Sequence, residues 1–343
     1  MNQRKDGFRL FEYVLFALVT LAVLILCVCV GSVTIPLEET IQVVWRAISR
    51  QPQPELTRVP IILTVRLPRV LCVALVGASL SLAGAAMQGL LKNPLADGST
   101  LGVSSCASLG AVLAIIFGIT LPQLPFAGTM VMAMIFAFLS MMIILSLAYK
   151  LDASLSTNTI ILIGVIFSMF ISSIMNLLIT FAGDKVKSIT FWTMGSLQGT
   201  SYQNAAVLLV CLTIFGSLLL SHCAELNAFA IGEDNARTIG VDIRKVKLLV
   251  LVCVSALIGV CVSIGGCIGF VGLVTPHMTR MIVGPNHRRL LPASMFAGAV
   301  FLLLADLVSR ILLNPLELPI GVVTSFVGSL VFIQIFYSSR KVK

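Results

Sequence analysis

The chain has 343 residues, of which 58% are apolar and only 11% charged, with a mean hydropathy of +1.06. Soluble domains carry about 25% charged residues, so most of this surface is built to face something other than water, which excludes an ordinary soluble enzyme. The formal net charge of +9 does not indicate nucleic acid, because the basic residues lie in loops between apolar runs, where they orient a membrane protein.

At about 20 apolar residues per crossing, the chain accommodates about ten transmembrane helices and short loops, in a single transmembrane domain over 1–343. The first crossing is expected at 11–30, behind Arg4, Lys5 and Arg9. It is longer than a signal-peptide core and no A-x-A site follows, so it reads as retained. Thr34 and Pro36 then start a short amphipathic helix whose Leu37, Ile41, Val44 and Ile48 share a face. This outer segment, 34–60, should lie on the membrane surface or on the bundle.

Further crossings are expected near 68–91, 101–121, 127–148, 158–181, 203–220, 247–264, 267–283, 291–309 and 319–337, with a polar turn at Asp184, Lys185 and Lys187. Gly265, Gly266, Gly269, Gly272 and Pro276 crowd the boundary between the seventh and eighth, so part of it should be unwound. Lys and Arg favour the side that holds both termini, which predicts cytoplasmic ends. In the second crossing Gly77, Ser81, Ala85 and Gly89 recur every four residues, a small-residue stripe for close helix packing. The nine cysteines form no CxxC pair and mostly lie in apolar runs, as small fillers rather than metal ligands.

Three segments can carry function. The stretch from His222 to Lys247 is too polar to cross and too short for a domain. Asn227 can cap a first short helix, Gly232 break it, and Glu233–Ile239 form a second, ended by Gly240. The segment is either an ordinary connecting loop or two short helices that make a rigid knob between crossings, a handle for a soluble motor; its order, alternating glycines with helix formers, favours the knob. The second segment is Arg66 to Arg69 with Arg310. Arginines near helix ends often only snorkel to headgroups, but a basic outer rim can also pair with carboxylates of a soluble partner. The third is the inner turn Lys92 to Asp97, either a plain turn or part of a gate. The chain has no P-loop and no series of mid-membrane carboxylates for proton coupling. His277 beside Pro276 reads as structural. A self-contained secondary transporter is the rival class; co-purification with a P-loop subunit separates the two.

Six motifs in order carry a family resemblance: RLPR (66–69), GAAMQGLLKNPLAD (84–97), LNAFAIGEDNARTIGV (226–241), GFVGLVTPHMTR (269–280), LLADLVSR (303–310) and ELPIGVVTSFVGS (317–329). On these the chain resembles the FecCD permeases of type II ABC importers for iron-siderophores, haem and cobalamin. The resemblance implies an all-α fold of about ten transmembrane helices per subunit in a bacterial cytoplasmic membrane. It implies a second permease copy or sister subunit, two ABC ATPase subunits, an external substrate-binding protein and no nucleic acid. Neither cofactor nor metal is expected in this chain; ATP and Mg belong to the ATPase. By the same resemblance, Leu226, Gly232, Glu233, Ala236 and Gly240 belong to the ATPase-coupling helices. Arg66, Arg69 and Arg310 dock the binding protein. Asn93, Leu95, Ser156, Thr157 and Asn158 belong to the inner gate. The expected cargo is a ferric-siderophore-type iron chelate, with haem or cobalamin next.

Overall fold

The computed structural model describes residues 7–31, 33–53, 58–97, 102–120, 127–152 and 156–341, and the description below concerns these. The helices are α1 (Leu10–Cys29), α2 (Leu37–Ile48), α3 (Leu67–Leu91), α4 (Val103–Phe117), α5 (Ala127–Leu151), α6 (Thr157–Thr180) and α7 (Val186–Thr193). They continue as α8 (Tyr202–Ser221), α9 (Cys223–Ile231), α10 (Glu233–Thr238), α11 (Ile243–Gly265), α12 (Val271–Val283), α13 (His287–Ile311) and α14 (Ile320–Lys341). Each expected crossing has a helix at its place. Seven helical segments are long and apolar enough to span a membrane: α1, α3 with the π-helical turn Ile61–Arg66 before it, α5, α6, α8, α11 and α13. Helices α4 and α12 are shorter, as is the apolar part of α14.

The bundle is built around α3, α11 and α13. The spanning windows of α3 and α11 are mostly buried inside the chain, whereas those of α1, α5, α6 and α8 are mostly uncovered. The antiparallel pair α3–α13 is the tightest. A Cβ on Gly77 would strike the Gly298 carbonyl, and one on Gly84 would strike Gly272 of α12. Such contact replaces the hydrophobic drive that is missing in lipid. Ser81 sits between them and accepts a 2.6 Å hydrogen bond from Thr275 Oγ1. The small-residue stripe read from the sequence is therefore the seam of the core.

One local feature differs from the sequence reading and another agrees with it. The polar turn around Asp184 continues into the short helix α7, whose Ile189 is fully buried. Between α11 and α12 the chain is unwound over Gly266–Phe270, with Phe270 at φ +66°, which fulfils the expectation from the glycine cluster. Eight of the nine cysteines are buried thiols and Cys267 is partly buried. Following the expected topology, the end where α1 finishes is called outer, and the end carrying α9 and α10 inner.

Candidate coupling and docking sites

The α3–α13 pair carries a polar network at each end. At the inner end, α9 is bolted to the start of α13. Asn227 Oδ1 accepts hydrogen bonds from the His287 backbone N–H and from Nδ1, both at 2.8 Å, and Asn227 Nδ2 donates to Asn286 Oδ1 at 2.9 Å. Asn286 in turn caps α13 by accepting from the Arg288 N–H. Asn227 therefore does not cap its own helix, as expected from sequence; it lies inside α9 and ties it to α13. His287 is buried, and its Nε2 lies where a Cβ on Gly89 of α3 would be. Asn227, His287 and Gly89 thus form one line from the knob into the core pair.

The second half of the knob is held separately. Gly232, at φ +124°, makes the break between α9 and α10, and Gly240, at φ +91°, ends α10; L side chains rarely adopt either conformation. Glu233 pairs at 2.8 Å with Lys247, whose side chain is 1% exposed on α11. Asp242 caps α11 by accepting from the Lys245 N–H, and the same lysine holds its carboxyl below the usual range.

Leu226 and Ala236, both expected among the coupling residues, are fully buried. They fasten the knob to the bundle from beneath. The outward face carries Ile231 and Ile239, 67% and 66% exposed, with Asp234 and Arg237 beside them. Sequence reasoning missed both isoleucines. The available signal was a large apolar residue immediately before Gly232 and another immediately before Gly240, at the two helix ends.

At the outer end the structure corrects the picture of an open basic rim. Arg66, Arg69 and Arg310 are all buried, 4–7% exposed. The reason is the C-terminus of α1, whose last carbonyls have no intrahelical partner. Arg66 Nη1 donates to the Val28 and Cys29 carbonyls at 2.8 and 3.0 Å, and its Nη2 to the Val33 carbonyl. Arg310 donates to the carbonyls of Cys27 at 3.0 Å and Val30 at 3.3 Å. Cations at a helix C-terminus also oppose its dipole favourably. Asp306, itself buried, pairs with Arg69 and Arg310, each at 2.9 Å, and Glu317 pairs with Arg69 at 2.7 Å. Glu317 is the accessible member, its side chain 28% exposed. Three guanidinium groups against two carboxylates leave net positive charge just below the surface.

The gate residues form two separate turns. Asn93 Oδ1 accepts from the Leu95 N–H at 2.9 Å and leaves Leu95 half exposed. Ser156 caps α6, its Oγ accepting from the Thr159 N–H, and its own N–H donates to Asp152. Thr157 is partly buried and Asn158 exposed. No hydrogen bond among the described residues joins these two turns; the neighbouring 98–101 and 153–155 lie outside the described residues.

Seven long apolar helical segments with a polar knob at one end of the bundle have the architecture of a multi-pass membrane protein. The profile of the FecCD transport family matches residues 19–338, and the chain belongs to that family. It is 42% identical to the ABC transporter permease protein YvrB of Bacillus subtilis (strain 168), over 93% of this chain and 91% of that one. It is 37% identical to the cobalamin import system permease protein BtuC of Halobacterium salinarum (82% and 74%) and 33% identical to the molybdate import system permease protein MolB of Haemophilus influenzae (96% and 97%). Among solved structures it resembles a metal-chelate type ABC transporter in an inward-facing conformation, with TM-score 0.84 and 31% identity over 95% of this chain and 98% of that one. The chain is thus an ABC importer permease and not an enzyme; ATP is hydrolysed on a separate ATPase subunit. Importers of this kind work with such an ATPase and with a substrate-binding protein.

Proposed function

We propose that this permease moves a metal chelate across a bacterial cytoplasmic membrane, with both termini cytoplasmic and with α4, α12 and α14 completing ten crossings. The observation that carries the importer mechanism is the knob, anchored from below and with two exposed isoleucines on its free face. Ile231 and Ile239 enter a cleft of the ATPase, where full burial of such a side chain stabilises by about 1.5–3 kcal/mol. ATP binding then biases the permease by its different affinity for the two conformations. Two ATPase subunits and a second permease copy or sister subunit complete the assembly. Ile231→Asp with Ile239→Asp is expected to abolish co-purification of the ATPase; undiminished co-purification refutes the assignment.

The cargo proposed first is a ferric-siderophore-type iron chelate, one of the cargoes of the family that the six motifs mark. A second reading, cobalamin, is favoured by the relatives named for it, including the vitamin B12 import system permease protein BtuC of Klebsiella pneumoniae, 36% identical over 99% of this chain. Uptake of labelled ferric siderophore, haem, cobalamin and molybdate by a deletion strain, with and without the gene restored, separates them. Uptake of cobalamin but not of iron chelate would overturn the first reading.

The binding protein is proposed to dock at the outer end over Arg66, Arg69 and Arg310. Because these are already paired, its carboxylates compete with Glu317 for Arg69 rather than meeting free cations. The gate is proposed at the Asn93–Leu95 turn and at Ser156–Asn158.

A further inference from the structure

The helix α2 is not a plain connector. At about 100° per residue, its side chains fall into three sectors. Thr40 and Val43 are buried against the bundle, and Thr40 Oγ1 lies 3.5 Å from Cys29 Sγ in the last turn of α1. Glu38, Glu39, Gln42 and Arg46 form a polar sector, with Glu39 accepting from Arg58 at 3.0 Å. The third sector, about 100° wide, holds Leu37, Ile41, Trp45 and Ile48, and these are 54%, 52%, 64% and 72% exposed. Neither the core nor the knob uses this face.

Three observations say what covers it. First, α1 and α2 are joined by a short turn, so the stripe starts where the spanning surface of α1 stops, and that surface is itself only 11% covered by protein. Second, a tryptophan among aliphatic residues with Arg46 and Arg50 beside it matches the chemistry of the headgroup boundary, where amphipathic rings and basic side chains concentrate. Third, the other two sectors of α2 are a face buried on the bundle and a polar face, so the apolar sector beside the outer end of α1 is the one that the chain itself leaves uncovered.

We propose that α2 is an interfacial anchor, with Leu37, Ile41, Trp45 and Ile48 seated in the headgroup and upper acyl region of the outer leaflet. The anchor has a consequence for the outer network. The turn between α1 and α2 supplies the Val30 and Val33 carbonyls that Arg310 and Arg66 hold. The bilayer surface thereby fixes the height of the arginine cluster. The proposal rests on the membrane-embedded reading of α1 and is independent of cargo and ATPase.

The chain has two tryptophans, Trp45 and Trp192, so Trp192→Phe leaves Trp45 as the sole reporter, and Trp192→Tyr serves where Phe lowers yield. The purified full chain is reconstituted into phosphatidylcholine–phosphatidylglycerol vesicles containing lipids brominated at defined acyl positions. Trp45 emission is expected to be quenched about twofold more by shallow than by deep bromines, because an interfacial helix buries only about 5–10 Å deep, and to resist aqueous iodide. Strong iodide quenching with no bromine effect would overturn the proposal. Strongest quenching by bromines at the bilayer centre would overturn it too. Ile41→Asp with Ile48→Asp in the same background should raise iodide quenching severalfold; no change would also count against the anchor.

Discussion

The two ends of the α3–α13 pair, separated by about 30 Å of helix from Arg69 to Gly89, solve opposite problems. The outer network buries its charges and satisfies them internally: Asp306 between two arginines, and the α1 carbonyls under Arg66 and Arg310. The inner network buries His287 and Lys247, leaves Asn227 half-buried, and leaves Ile231 and Ile239 in the open. A closed network holds helices in place. A network anchored on one side can pass a displacement from a partner into the helices beneath it. The knob has two such anchors, on α13 through α9 and on α11 through α10, meeting at Gly232.

The largest effect expected is at the outer end. Asp306→Ala removes the buried carboxylate that Arg69 and Arg310 share and leaves Arg310 without an acidic partner, a loss of about 3–5 kcal/mol. Thermal unfolding in detergent should fall sharply, with little folded protein recovered. A melting temperature near wild type would show that the cluster is not the lock it is taken for.

Next is the α9 anchor. Asn227→Ala strands buried donors of His287 at about 1–3 kcal/mol. In the assembled transporter, ATP hydrolysis should continue while uptake falls severalfold. Asn227→Asp, which keeps the acceptor, should recover part of it. Equal loss of both activities would mean that the contact serves folding only.

The α10 anchor tests the same contrast by a cycle. Lys247→Met and Glu233→Gln should each destabilise, by about 1–3 kcal/mol, and the double variant by less than their sum. Strict additivity would show that the pair does not hold the knob.

The smallest effect is expected at Glu317. Glu317→Gln removes a partly exposed partner of Arg69 worth about 1 kcal/mol or less, so stability should hardly change. Docking of the binding protein should tighten and become more salt-sensitive, as screening of accessible charge requires. Docking unchanged by both substitution and salt would remove Arg69 from that role.

The hydrophobic runs determined by themselves that the chain crosses a membrane and where its helices lie. The first run was read at 11–30 and α1 is Leu10–Cys29; the stripe Gly77, Ser81, Ala85 and Gly89 does lie at the packed seam. These features are local, because length and apolarity decide whether a segment can leave water, and a small residue permits close approach wherever it sits. The break at Gly232 and the unwound Gly266–Phe270 were legible for the same reason. The tertiary structure alone decided which charges are spent internally. Arg69 and Asp306 lie 237 residues apart, and Asn227 and His287 lie 60 apart. A basic residue at a helix end looks the same in sequence whether it faces water or caps a neighbouring helix, since its partners are supplied by remote segments that only folding brings within reach.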